Sequence, residues 1–114
     1  MNLNPRIQGN IHILAPQGRI DHASAEDFSA SLEPHLAQCK AGGIVLLLDF
    51  TGIDYISSVG LRSLMLAARQ VKSQSGSIAI ASLTPVVKEV FDISRFNLVY
   101  KVFDSVEAAV TGLS

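Results

Sequence analysis

The chain has 114 residues, of which 48% are hydrophobic and 17% are charged, and its formal net charge is −1. This length predicts one domain that spans residues 1–114 and has a core large enough to fold without disulfides, while the near-neutral charge argues against nucleic-acid binding. The single cysteine, Cys39, excludes an internal disulfide and every zinc site that needs several cysteines.

The opening segment predicts a small antiparallel pair of strands. Residues Arg6–Leu14 contain the alternating polar and apolar side chains that are typical of an extended chain. Pro16–Gly18 predicts a turn, and Arg19–Ile20 predicts a short strand after it.

The segment Asp21–Lys40 has the period of an amphipathic helix. Its apolar stripe consists of Ala25, Phe28, Leu32, Leu36 and Cys39. Ser24–Asp27 resembles a capping box at the start of this helix. Pro34 lacks a backbone donor and its ring clashes with the preceding turn, which predicts a kink or a break near Glu33.

Strands and helices alternate along the rest of the chain. Ile44–Phe50 is a run that is apolar except for Asp49, which is typical of a strand covered on both faces. A helix follows from Ser57 or Ser58 to about Ser75, and its predicted buried face consists of Leu61, Leu64, Met65, Ala68 and Val71. The later elements are a strand over Ser77–Ser82, a helix that begins at the N-cap Thr84 and Pro85, a strand over Leu98–Phe103 and a last helix from Asp104 to about Gly112. The pattern predicts an α/β fold, with a mixed and mostly parallel sheet of four to five strands and about four helices.

A loop with two adjacent serines joins the buried strand to the second helix, over Thr51–Leu61. Functional crevices in open α/β sheets lie at such positions, beyond the carboxyl ends of strands. One interpretation is structural: Ser57 or Ser58 caps the helix, and Gly60 lets it begin close to the sheet. That interpretation leaves the apolar Val59 unexplained, because this loop should face water.

The second helix carries a stripe opposite its buried face, formed by Arg62, Leu66, Arg69 and Ser73. Its positive charge is uncompensated, since no acidic residue occurs between Tyr55 and Val87. The stripe is either a solvated face with one leucine or a docking surface that begins at Ser58 and is centred on Leu66.

Signatures of enzymes, metal sites and membrane segments are missing. The chain has no phosphate-binding glycine loop and no Gly-x-Ser-x-Gly motif, and His12, His22 and His35 are scattered. We therefore expect neither catalysis nor a metal or cofactor. Ile44–Leu48, the longest dense apolar run, is too short to cross a bilayer, and the first residues do not resemble a signal peptide, so we expect a cytoplasmic protein.

The segment Ile53–Leu64 reads Ile-Asp-Tyr-Ile-Ser-Ser-Val-Gly-Leu-Arg-Ser-Leu. It resembles the loop of the STAS domain of bacterial anti-sigma-factor antagonists. Gly18–Asp21 and Thr84–Phe91 support the resemblance, which extends over nearly the whole chain.

The resemblance implies partner switching in which this chain is not the catalyst. An anti-sigma factor that is also a serine kinase would bind the unphosphorylated antagonist and release a sigma factor or a similar target. Phosphorylation of one loop serine would end the binding, and a metal-dependent serine phosphatase would restore it.

The family's acceptor serine, two residues before the loop glycine, corresponds to Ser58, and its early acidic residue corresponds to Asp21. Many antagonists have Asp where this chain has Ser57, which makes Ser57 the alternative acceptor. The expected partner surface comprises Asp21, His22, Ser57, Ser58, Val59, Gly60, Arg62, Leu66 and Arg69. An alternative implied by the same resemblance is an accessory subunit of a phospholipid-transport ATPase complex. The chain is expected to be a monomer or a weak dimer.

Overall fold

The computed structural model describes residues 1–113 and contains seven strands and four α-helices over that range. The strands are β1 (Arg6–Gln8), β2 (Ile11–Leu14), β3 (Gly18–Ile20), β4 (Val45–Asp49), β5 (Ile53–Ile56), β6 (Ser77–Ala81) and β7 (Lys101–Phe103). The helices are α1 (Ala25–Gln38), α2 (Ser58–Ser73), α3 (Pro85–Ile93) and α4 (Val106–Leu113). None of these helices is long and apolar enough to span a membrane.

Five strands form the main sheet in the order β1-β2-β4-β6-β7. Only β1 and β2 are antiparallel, and the other neighbours are parallel. Leu46, Leu47 and Leu48 of the central strand are fully buried, as the apolar run predicts, because helices cover both faces. Leu46 and Leu48 pack in the cluster that contains α1, α2 and α3, while Leu47 packs in the cluster that contains α4. The α/β fold, the mixed sheet and the four helices are confirmed.

The opening hairpin differs from the prediction. Its turn lies at Gly9–Asn10, where Gly9 has a φ of 63°, and not at Pro16–Gly18. The short strand β3 leaves the main sheet and pairs in parallel with β5, which lies inside the segment predicted as a loop. Burial explains this pairing, because Ile20, Ile53 and Ile56 pack together in the core.

The first helix continues through Pro34 without the break predicted near Glu33. Pro34 is exposed, and the buried Leu32 and Leu36 on either side hold both halves of the helix against the core. The predicted capping box is also wrong. The Ser24 hydroxyl makes no cap bond and instead donates to the Arg19 carbonyl oxygen at 2.7 Å.

The predicted strand over Leu98–Phe103 is shorter in the structure. Residues Phe96–Leu98 form a 3₁₀ turn after Arg95, which has a φ of 58°, and only Lys101–Phe103 pairs with β6. Thr84 and Pro85 occupy the predicted cap and first positions of α3. The Thr84 hydroxyl nevertheless donates to the Ile53 carbonyl oxygen at 2.8 Å, so it connects α3 to β5.

Candidate functional site

The two loop serines lie where β5 ends and α2 begins, and they have different environments. Ser57 is the N-cap of α2, and its Oγ accepts a hydrogen bond from the Gly60 N–H at 3.2 Å. The Ser57 N–H donates to the Ile20 carbonyl oxygen at 2.9 Å, which connects the start of the helix to β3. Ser57 is therefore engaged on both its backbone and its side chain.

Ser58 is the first residue of α2 and is exposed to solvent. Its hydroxyl makes no hydrogen bond within residues 1–113. The neighbouring Val59 is 39% exposed, so a free hydroxyl lies beside an apolar surface.

Gly60 is buried and lets the helix start close to β3. A Cβ on Gly60 would lie 2.6 Å from the Ile20 carbonyl oxygen and 2.8 Å from Cγ1 of Ile56. No side chain fits at these distances unless the backbone of β3 moves. The interpretation that Gly60 lets the helix begin close to the sheet is correct. By setting the start of α2, Gly60 also determines the positions of Ser57 and Ser58.

Asp21 follows β3 at the same end of the small sheet. Because β3 and β5 are parallel and Ile20 pairs with Ile56, Asp21 and Ser57 leave adjacent strands side by side. One carboxylate oxygen of Asp21 accepts from the N–H of Ala23 at 3.1 Å. These interactions fix Asp21 next to the start of α2, whereas the adjacent His22 is exposed.

The Asp21 carboxyl is held in its charged form. Its second oxygen lies 3.3 Å from Nε of Arg19. Desolvation alone would raise the pKa of Asp21, but hydrogen bonds from Ser24 and Arg19, with those from backbone N–H groups, outweigh it and lower the pKa below its ordinary value. Asp21 therefore presents a fixed negative charge at neutral pH.

Arg19 and Tyr55 belong to this site and were missed from the sequence. The Arg19 guanidinium lies 4.7 Å from the centre of the Tyr55 ring, in a cation–π contact. This contact depends on the parallel pairing of β3 with β5, which opposes Arg19 to Tyr55. Residues 53–56 read Ile-Asp-Tyr-Ile, which has no regular alternation and is too short to predict a strand.

The exposed stripe of α2 continues from the serines. Arg62, Leu66 and Arg69 are exposed, and Leu66 shows 51% of its surface. Neither arginine forms an ion pair within residues 1–113. The opposite face of the helix buries Leu61, Leu64 and Val71, as the periodicity predicts. Ala67 is also buried, whereas the predicted Met65 and Ala68 are only partly buried.

The described part of the chain shows no group of three or more His, Cys, Asp or Glu side chains arranged to bind a metal ion. Cys39 is fully buried, and its Sγ donates to the Ser77 carbonyl oxygen at 3.0 Å. Burial raises the pKa of this thiol, so Cys39 is a neutral core residue.

Comparisons with known proteins agree on one family. Residues 2–109 match the sequence profile of the STAS domain. BtrV of Bordetella bronchiseptica, named as an anti-sigma factor antagonist, is 41% identical over 93 residues, which cover 82% of this chain and 78% of BtrV.

Solved structures show the same fold at low sequence identity. The Thermotoga maritima protein TM1081, described as an anti-sigma factor antagonist, superposes with a TM-score of 0.86 at 18% identity and covers 96% of this chain and 92% of its own. The anti-sigma factor antagonist SpoIIAA of Bacillus has been solved in two states. Its unphosphorylated form gives a TM-score of 0.76 at 17% identity over 96% of this chain and 94% of SpoIIAA. Its phosphorylated form gives 0.70 at 16% identity over 97% and 98%.

Proposed function

The chain belongs to the STAS domain family, and from this we propose that it is an anti-sigma-factor antagonist whose binding is switched off by phosphorylation of Ser58. The unphosphorylated form binds an anti-sigma factor that is also a serine kinase, and so releases the target of that factor. A serine phosphatase resets the antagonist, and the exchange takes place in the cytoplasm. The name of BtrV, at 41% identity, supports the antagonist function.

The choice of Ser58 over Ser57 as the phosphorylated residue rests on the different exposure and hydrogen bonding of the two hydroxyls. A kinase needs a hydroxyl that is accessible and free to enter its own active site. Ser58 is exposed and its hydroxyl has no partner in the described residues. The Ser57 hydroxyl is half-buried and accepts the cap bond from Gly60. To enter a kinase active site, the Ser57 hydroxyl would have to give up this bond, whereas the Ser58 hydroxyl has none to give up.

The fold is expected to tolerate a phosphate on Ser58. The group adds a charge of about −1.5 to −2, and Ser58 lies in the first turn of α2, where unpaired N–H groups and the helix dipole favour an anion. No acidic residue lies in that turn to oppose it. SpoIIAA, solved in both forms, is a protein of this fold that carries a phosphate.

Binding is not expected to tolerate the same phosphate. The proposed contact surface comprises Asp21, His22, Ser57, Ser58, Val59, Arg62, Leu66 and Arg69, with Gly60 acting through the backbone position that it allows. A phosphate enclosed between this surface and an apolar or acidic partner would lose its hydration, and the partner would supply no counter-charge. The fixed charge of Asp21 adds repulsion. Such burial costs several kcal/mol, which corresponds to about a hundredfold loss of affinity or more.

The test uses the full chain and a candidate anti-sigma factor kinase chosen from the neighbouring genes, co-expressed or mixed with ATP. Intact mass should show one phosphate on the original chain and on Ser57→Ala, and none on Ser58→Ala. Calorimetric titration should then show at least a hundredfold weaker binding by the phosphorylated chain. A phosphate that persists in Ser58→Ala would overturn the choice of residue. Equal affinity of the two forms would overturn the switch.

A further inference from the structure

A groove of about 610 Å³ lies beside the second half of α2, away from the serines. Its apolar floor is formed by Met65, Ala68, Ile78 and Val99, which are packed against the core but only partly buried. Leu98 lines the opposite rim and is 77% exposed. We refer to this region as the α2 groove.

The α2 groove is basic. Arg69 and Lys72 line it, both side chains are exposed, and neither forms an ion pair within residues 1–113. No Asp or Glu lines the groove. Two uncompensated cations beside an apolar floor complement an occupant that is apolar on one side and acidic at its edges.

The α2 groove is distinct from the serine site. At a rise of about 1.5 Å per residue, Lys72 lies about 21 Å along the helix axis from Ser58. Arg69 belongs both to the groove and to the surface proposed for the kinase, but Lys72 and Leu98 belong only to the groove. Variants at Lys72 and Leu98 should therefore weaken binding in the groove without affecting binding at the serine site.

We propose that the α2 groove docks an acidic amphipathic helix of a partner protein. A helix satisfies its own backbone hydrogen bonds, so it can place apolar side chains on the floor without leaving N–H groups unpaired. Acidic residues along its edge then pair with Arg69 and Lys72.

Two other occupants fit the groove less well. A flat membrane would contact Leu98, which is 77% exposed, but not the floor residues, which are partly buried. In a second copy of this chain, α1 is the most acidic helix, but its large apolar side chains within residues 1–113 are buried in its own core. Helix α3 exposes Val86 and Ile93, but its Asp92 is paired with Lys88, which leaves only Glu89 to pair with the two cations of the groove.

The experiment titrates the ¹⁵N-labelled full chain with a synthetic 18-residue peptide that carries leucines on one helical face and glutamates along its edges. Amide shifts should concentrate at residues 65–72 and 98–99. Lys72→Glu and Leu98→Gln should each weaken the binding about tenfold. Their matched controls, Lys88→Glu and Ile93→Gln, change exposed side chains on α3 that do not line the groove and should bind like the original chain.

Several outcomes would overturn the proposal. One is equal binding of a matched peptide with lysines in place of the glutamates, and another is amide shifts centred on the serines. A third is co-sedimentation with phosphatidylglycerol vesicles that Lys72→Glu abolishes, which would assign the groove to a membrane. Self-association that Leu98→Gln abolishes would assign it to a second copy. Since the titration involves no kinase, its result is independent of whether Ser58 is phosphorylated.

Discussion

Replacing Gly60 by alanine tests how closely α2 approaches β3 at the serine loop. The new Cβ would lie 2.6 Å from the Ile20 carbonyl oxygen, compared with about 3.4 Å for ordinary contact. This oxygen belongs to the backbone of β3, so it cannot move aside as a flexible side chain could. Either β3 or the first turn of α2 must retreat by several tenths of an ångström.

The expected cost follows from three contributions. Overpacking of this kind costs about 1–3 kcal/mol. The retreat also weakens the 2.9 Å hydrogen bond from the Ser57 N–H to the Ile20 oxygen, a loss of about 1 kcal/mol. Alanine returns up to about 1 kcal/mol through its higher helix propensity. We therefore expect Gly60→Ala to lower the free energy of unfolding by about 1–4 kcal/mol.

Urea unfolding of Gly60→Ala and of Gly52→Ala measures this difference. The nearest atom to a Cβ on Gly52 is Cγ of Gln17 at 2.9 Å, which belongs to a side chain and not to the backbone of a strand. Gly52→Ala should therefore destabilise the chain less than Gly60→Ala does. If Gly60→Ala were as stable as the original chain, the close approach of α2 to β3 would be wrong.

Two further predictions concern Tyr100 and His35. Tyr100→Phe removes the buried hydrogen bond from the Tyr100 hydroxyl to the Leu64 carbonyl oxygen at 2.7 Å, and should cost about 1 kcal/mol in urea unfolding; an unchanged midpoint would contradict this. Desolvation, and then the charge of His12, lower the pKa of His35 below its ordinary value of 6.5. The folded chain thus binds this proton less readily than the unfolded chain, so the contribution to stability is present above pH 6.5 and is lost as the pH falls through the lower folded pKa. The melting temperature should therefore fall less steeply on acidification in His35→Gln than in the original chain, and equal slopes would refute this assignment.

Local patterns in the sequence predicted the elements that form the core. The run Ile44–Leu48 is apolar without interruption, which is typical of a strand buried between two layers of helices, and it forms most of β4. The spacing of Leu61, Leu64 and Val71 predicted the buried face of α2. Such patterns involve residues close in sequence, and their burial follows from the periodicity of one element.

Strand pairing could not be predicted in the same way. The short strand β3 pairs with β5, but the three residues of β3, Gly18–Ile20, are too few to specify a partner strand. The contact between Arg19 and Tyr55 is a consequence of that pairing. The strands β3 and β5 lie more than thirty residues apart in the sequence. Their register is determined by the burial of Ile20, Ile53 and Ile56 in the same core cluster.

At the site itself, the sequence determined that two serines stand at the start of a helix and that an exposed stripe without acidic residues follows them. Only the tertiary structure decided which serine is free. The Ser57 hydroxyl is engaged because Ser57 is the cap of α2 and accepts from the Gly60 N–H. The start of the helix is held at this position by the bond from the Ser57 N–H to the Ile20 carbonyl oxygen, which the close approach at Gly60 permits, and Ser58 is left in solvent. The distinction rests on a contact between distant segments, which residue types and their spacing do not encode.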